Sequence, residues 1–252
     1  MISGHEDCKN TEGEVRLNRF LAMCGVGSRR KVESIIASGV VRINGVVTDD
    51  PALRVKRKDI VTVQGRSVRP KQKVYLVLNK PAGVVCSVDD QHNRTIMEIL
   101  PHKYRQMSLY PAGRLDKDST GLIILTNDGD FADYLTHPRY GITKEYRVRL
   151  DRSLDTRDLE KWREGIFLNG KRVIPVHLER IPGSFDKSLL RITLGEGMKR
   201  EIRIMASALG YKVTELERTK IGKMKLKKLP SGEMRNFERD ELEIKITYGG
   251  SL

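Results

Sequence analysis

Cysteine is scarce in this chain. There are three in 252 residues, Cys8, Cys24 and Cys86, far apart and without a CxxC pair. That excludes a disulfide framework and fits a reducing, cytoplasmic setting. The five histidines, His5, His92, His102, His137 and His177, are scattered at spacings that suggest no zinc site. No apolar run approaches the roughly 20 residues of a membrane-spanning helix. The opening Met1-Ile2-Ser3-Gly4-His5-Glu6-Asp7 lacks the apolar core of a secretory signal, so no export signal is expected. No cationic amphipathic helix carries exposed Trp or Phe, which argues against membrane-surface binding. Negative charge is the other shortage: 33 Asp and Glu stand against 47 Lys and Arg, a formal net charge of +14. So basic a chain calls for a polyanionic partner, nucleic acid first. At 38% hydrophobic residues it remains an ordinary globular protein rather than a disordered one.

Residues 1–14 are polar and aperiodic and read as a disordered tail. From Val15 the pattern changes. Leu17, Phe20, Leu21 and Cys24 fall at i, i+3, i+4 and i+7, one face of a helix. Ser28 can cap a second helix whose buried face holds Val32, Ile35 and Ile36, with Gly39 at its end. Val40–Ile43 and Val46-Val47 flank Asn44-Gly45, a strong hairpin signal, and Ile60–Val63 reads as a further strand. Between residues 15 and 70 there are twelve Lys or Arg against four Asp or Glu, a local +8. Arg29, Arg30 and Lys31 sit in the first turn of the second helix, where cations oppose the helix dipole. A phosphate partner would offset that cost. Residues 64–73 are basic, lack apolar periodicity and carry Pro70, and are read as a linker between a domain at 15–63 and a second at 74–252.

In the second part, Val74–Leu78 and Leu122–Leu125 are unbroken apolar runs, the signature of central strands. Ile96, Ile99 and Leu100 suggest a short helix ending at Pro101. Asn127-Asp128-Gly129 is a turn with a helix cap, and Phe131, Tyr134 and Leu135 give the next helix one apolar face. Lys144–Leu150 alternates as a half-exposed strand, with Lys144, Tyr146 and Val148 on one face. Leu159 and Trp162 mark another helix, and Leu189–Leu194 another strand. Ile202, Met205, Ala206 and Leu209 give a helix closed by Gly210, with Lys199, Arg200 and Arg203 in its first turns. Ile244-Lys245-Ile246 is read as a last strand.

The stretch Gly113-Arg114-Leu115-Asp116-Lys117-Asp118-Ser119-Thr120-Gly121-Leu122 places a carboxylate, Asp116, between two cations on a loop that feeds a core strand. Loops held by rigid strands are where catalytic groups tend to stand. A carboxylate beside fixed positive charge stays ionised, as a nucleophile or metal ligand requires.

Two resemblances bring these features together. Residues 15–63 resemble the small RNA-binding module named after ribosomal protein S-four, through Arg16-Leu17-Asn18-Arg19-Phe20-Leu21-Ala22, Ser28-Arg29-Arg30-Lys31-Val32-Glu33 and Gly39–Gly45. Residues 74–246 resemble the pseudouridine synthases of the RsuA/RluB/RluE/RluF group, which modify ribosomal RNA. Leu78–Gly83, Gly113–Asp116 with Thr120–Leu122, Lys144–Tyr146, Gly195-Glu196-Gly197 through Arg200–Arg203, and Leu216–Arg218 carry that match. The resemblance implies an α+β protein: a small helix-and-hairpin RNA-binding domain, then a larger domain with a mostly antiparallel mixed sheet flanked by helices. It implies isomerisation of uridine to pseudouridine, without cofactor or metal. Asp116 is implied as the catalytic carboxylate, ionised and dry. Arg203 is its ion-pair partner, and Tyr146 stacks on the target base. Arg16, Arg19, Arg29, Arg30, Lys31, Lys80, Arg114, Lys117, Lys199 and Arg200 are the expected RNA contacts. The expected partner is ribosomal RNA or an assembling ribosomal subunit, and the expected state is a monomer. One position departs from the group, which usually has Gln where this chain has Glu201. Two other readings stay open: Asp116 and Asp118 as a metal pair, and an RNA-binding ribosome-assembly factor without catalysis.

Overall fold

The computed structural model describes residues 14–168, 170–195, 198 and 200–252. Of the expected tail, residues 1–13 lie outside these, and Glu14 already opens the first strand. The chain forms two compact units, residues 1–72 and 73–252.

In the smaller unit, β1 (Glu14–Arg16) leads into α1 (Leu17–Met23) and α2 (Arg29–Ala37). Ser28 caps α2 by accepting from the Lys31 amide. The strands β2 (Val41–Ile43), β3 (Val46–Val47), β4 (Arg54–Lys56), β5 (Val61–Val63) and β6 (Arg66–Ser67) follow. The β2–β3 turn uses Asn44 and Gly45, both at positive φ, 52° and 86°. Such a turn matches the twist of the strands it joins. Asn44 also fixes the next loop, donating to Asp59 at 2.9 Å and accepting from the Ile60 amide at 2.9 Å. Leu17, Leu21, Val32, Ile36, Val41, Val55 and Val61 make the core. The segment expected as a linker contributes its first part to this sheet instead: β6 pairs with β5, Val63 opposite Arg66. A two-residue strand has too little pattern to be read from sequence.

The larger unit runs β7 (Tyr75–Lys80), α3 (His102–Arg105), β8 (Tyr110–Pro111), β9 (Thr120–Thr126), α4 (Gly129–Thr136) and β10 (Lys144–Leu150). It continues with α5 (Thr156–Glu164), β11 (Ile166–Leu168), β12 (Lys171–Val173), β13 (His177–Arg180), β14 (Leu189–Leu194) and α6 (Glu201–Ala208). It closes with β15 (Val213–Ile221), β16 (Met224–Lys225), β17 (Met234–Phe237), α7 (Arg239–Tyr248) and β18 (Gly250–Ser251). The main sheet has the order β13-β14-β10-β15-β9-β7-β17, with β8, β16 and β18 attached beside it. Pairing is antiparallel except at β9–β15 and β16–β18. The fold is the mostly antiparallel α+β arrangement that was expected.

The unbroken apolar runs have a simple cause. Along β7, Leu76 and Leu78 enter the core that also holds Ile202, Met205 and Ala206 of α6. Tyr75 and Val77 enter the opposite core, with Phe131 of α4 and Leu242 of α7. A strand covered on both faces has no polar side to show.

Two expected elements are replaced. Residues 96–100 form turns, and the helix begins after Pro101 rather than ending there. Pro suits a helix start, where its missing N–H is not needed. Glu98 accepts from both the amide and the hydroxyl of Thr95, at 2.8 and 2.9 Å, and closes the turn. Residues 244–246 lie inside α7, not in a strand. Leu242 and Ile246 are buried one helical turn apart while Ile244 is exposed; three residues are too few to separate a period of 2 from one of 3.6.

Candidate active site

The loop between β8 and β9 carries Asp116. It is held from several sides. Buried Leu115 donates its amide to Cys86 Sγ at 3.3 Å. The Gly83 amide donates to the Lys117 carbonyl at 2.9 Å. The Ser119 amide closes a turn onto the Asp116 carbonyl at 3.1 Å. Lys80, at the end of β7, is fully buried. Its ammonium donates to the carbonyls of Pro81, Lys117 and Ser119 at 2.9, 3.1 and 2.7 Å. All three protons are therefore committed inside the protein. The expectation that Lys80 contacts RNA phosphate is corrected: it is a clamp on the Asp116 loop. Burial lowers its pKa, and Cys86, Asp118 and Asp116 pull it partly back.

Arg203 reaches Asp116 from α6. Its Nη1 donates to the Val213 carbonyl at 2.9 Å, and its Nε stands 3.8 Å from Asp116 Oδ2. The Asp116 side chain is 29% exposed and its carboxylate faces a cleft.

That cleft has a volume of about 320 Å³. Asp116, Arg114 and Ser119 line one side, Tyr146 and Leu216 the sheet floor, and Arg200 with Met198 the α6 side. Tyr146 arrives from β10 just after a register shift against β15 between Glu145 and Tyr146. Such an irregularity re-aims a side chain. Its partner across the sheet is Arg218, whose Nε donates to the Leu122 carbonyl at 2.6 Å. The close approach of β9 and β15 needs Gly121, at φ 103°: a Cβ there would lie 2.4 Å from the Arg218 carbonyl oxygen. Lys144, one turn of the pleat from Tyr146, is partly buried and donates to the Ile142 carbonyl at 2.6 Å. Burial first, and the Arg218 charge second, push it down to about 8.

The structure thus gathers Asp116, Tyr146, Arg203, Arg114 and Arg200 at one cleft. Lys117 is exposed on the same loop and donates to Asn93 Oδ1 at 2.9 Å. Lys199 lies outside the described residues, as do Glu196 and Gly197 of the expected motif. In the smaller unit, Arg16, Arg29, Arg30 and Lys31 are exposed and Arg19 is half-buried. Glu201 lines the cleft wall, buried, and accepts from the Met198 amide at 2.8 Å. Among the described residues, no three His, Cys, Asp or Glu gather as a ligand set around Asp116 and Asp118. Sequence reasoning missed Ser119, Leu194 and Leu216 as cleft residues. The two leucines sit in strands and carry no signal that separates them from core residues.

Known proteins with this organisation agree. Residues 74–208 match the RNA pseudouridylate synthase family and residues 15–61 match the S4 domain. The chain is 37% identical to an uncharacterized RNA pseudouridine synthase of Aquifex aeolicus, over 91% of this chain and 92% of that protein. It is 34% identical to ribosomal large subunit pseudouridine synthase B of Bacillus subtilis, over 90% of this chain and 94% of that one. A crystal structure of a pseudouridylate synthase superposes with a TM-score of 0.65 at 32% identity, covering 91% of this chain and 98% of the other. The chain belongs to the RNA pseudouridine synthase family and is an enzyme of that class, carrying an S4 domain ahead of its catalytic domain.

Proposed function

We propose that this protein isomerises uridine to pseudouridine at a specific site in ribosomal RNA, with Asp116 as the catalytic carboxylate. The observation that carries the reading is the pairing of Asp116 with Arg203 over a cleft floored by Tyr146. Its relative in Bacillus subtilis is named for the large ribosomal subunit, which supports ribosomal RNA as the substrate class. In the reaction the N1–C1′ bond breaks, the uracil turns, a C5–C1′ bond forms, the C5 proton leaves and N1 takes up a proton. Nothing is oxidised or hydrolysed. Asp116 acts on the ribose, either at C1′ or on a ribose proton. Both roles need the ionised form. Tyr146 offers a flat face to a uracil drawn out of its stack. Drawing it out costs a few kcal/mol. Backbone contacts by Arg114, Lys117, Lys199 and Arg200, and by Arg16, Arg19, Arg29, Arg30 and Lys31 of the S4 domain, offset that cost. The protein works as a cytoplasmic monomer on ribosomal RNA or an assembling subunit.

The test is a pseudouridine map of ribosomal RNA from strains with the protein, without it, and with Asp116→Asn. One position that loses pseudouridine in both altered strains supports the reading and names the target. An unchanged map in the deletion strain overturns the ribosomal assignment.

A further inference from the structure

The hairpin of β11 and β12 turns an aromatic ring to solvent. Its inner face is anchored: Leu168 and Val173 are buried in the core shared with Ile202 and Met205 of α6. On its outer face Phe167, 71% exposed, stands directly opposite Arg172. Opposed residues on paired strands project from the same face, so a ring and a guanidinium stand side by side. The apolar surface continues through Ile174 and Val176, 57% and 61% exposed. A Cβ on Gly165, just before β11, would lie 2.6 Å from Ile174 Cγ1; one on Gly195 would lie 3.4 Å from Val176 Cγ2. The strip therefore runs from the hairpin to Gly195, the residue after Leu194 in the wall of the catalytic cleft.

Charge says what this strip takes. Residues 166–176 include Lys171 and Arg172 and no Asp or Glu. Arg114 and Arg200, which line the cleft with Leu194, are exposed. Flat apolar surface interleaved with cations is what an unpaired nucleic-acid strand needs, rings for bases and cations for phosphates. We propose that the strip from Phe167 and Arg172 through Ile174 to Val176 is a second RNA contact, where Phe167 stacks on an unpaired base flanking the target uridine and Arg172 holds its phosphate. The inference rests on the RNA-modifying function proposed above.

The experiment uses the full chain in two assays. One is tritium release from [5-³H]uridine-labelled ribosomal RNA of a strain lacking the protein; the other is anisotropy of a fluorescein-labelled oligouridine. Phe167→Ala and Arg172→Ala should each raise KM by about tenfold with kcat unchanged, the scale of one stacking ring or one phosphate partner. Oligouridine binding should weaken in parallel. Phe167→Trp should restore KM and Phe167→Leu should not, because stacking needs a ring. Phe185→Ala removes another exposed Phe and should change neither assay. A Phe167→Ala variant with KM and binding within twofold of wild type overturns the proposal. So does one that changes only the sedimentation coefficient, which would make the strip an interface between copies. If the wild type releases no tritium, the proposed function falls, and the oligouridine arm still decides whether Phe167 binds RNA.

Discussion

Asp116 Oδ2 and Arg203 Nε stand 3.8 Å apart, an ion pair just beyond hydrogen-bond reach. The arginine is fixed independently, by its bond to the Val213 carbonyl. The carboxylate therefore faces a cation whose place does not depend on the pair.

Asp116→Asn should remove activity while leaving the fold intact. A fall of at least about three orders of magnitude in kcat is expected, the scale on which loss of a nucleophile acts. The pair is partly exposed and long, so stability should change by under about 1 kcal/mol. A melting curve beside the tritium-release assay checks both. A variant that keeps a tenth of wild-type activity would remove Asp116 from the mechanism.

Arg203→Lys keeps the charge but loses the planar fork that reaches both Val213 and Asp116. It should retain more activity than Arg203→Met. The double variant Asp116→Asn/Arg203→Met should be no slower than Asp116→Asn by more than about threefold, because residues that act as a unit are not additive. Full additivity would mean that Arg203 acts elsewhere.

Lys80→Met tests the clamp. It takes the ammonium donor from the Pro81, Lys117 and Ser119 carbonyls, of which Ser119's is buried, at an expected cost of about 2–4 kcal/mol. The melting temperature should drop and kcat should fall as the Asp116 loop loosens. RNA affinity measured by filter binding should stay close to wild type. Weaker binding with unchanged stability would restore the phosphate-binding role for Lys80.

Lys144 gives a pH dependence. Its folded-state pKa is pushed down from 10.5 to about 8. Between those values the unfolded chain holds a proton that the folded chain has released, so stability gains from rising pH across that window. Below about 8 both states are charged and the penalty of burying the ammonium is fully present. Lys144→Met should therefore stabilise the protein most below pH 8, and its advantage should shrink as pH rises toward 10.5. Urea unfolding of both proteins at several pH values measures the difference, and a constant offset would contradict it.

The S4 domain should set the salt dependence. Replacing Arg29, Arg30 and Lys31 by Ala should flatten the slope of log K against log salt by about 0.7–0.9 for each phosphate these side chains neutralise. An unchanged slope would place these three residues off the RNA.

How much of this was legible in the sequence follows from the range of each interaction. Ser28, Asn44-Gly45, the capping turn Asn127-Asp128-Gly129 and the apolar face of α6 are local patterns, and each sits in the structure where its pattern puts it. Leu194, Ser119 and Leu216 meet at the cleft only because β14, the loop leading into β9, and β15 are brought together by the sheet. No window of sequence contains that. Lys80 misled for a related reason. A lysine before a proline at a strand end looks like a free cation, and only the return of residues 117–119 surrounds it with carbonyls. The resemblance supplied the long-range pairing of Asp116 with Arg203, which spacing could not.

The two-sided covering of β9 has its own consequence for genetics. Leu122 and Ile124 belong to the core under α4 and α7; Ile123 and Leu125 belong to the core of Leu115, Tyr146 and Ile202. Neighbours in the chain thus answer to different halves of the molecule. A scan of truncating substitutions along β9 is two experiments interleaved, with one set of positions loosening the back of the enzyme and the alternate set moving the Asp116 loop. Ranked by position the phenotypes would look erratic; sorted by parity they would fall into two orderly series.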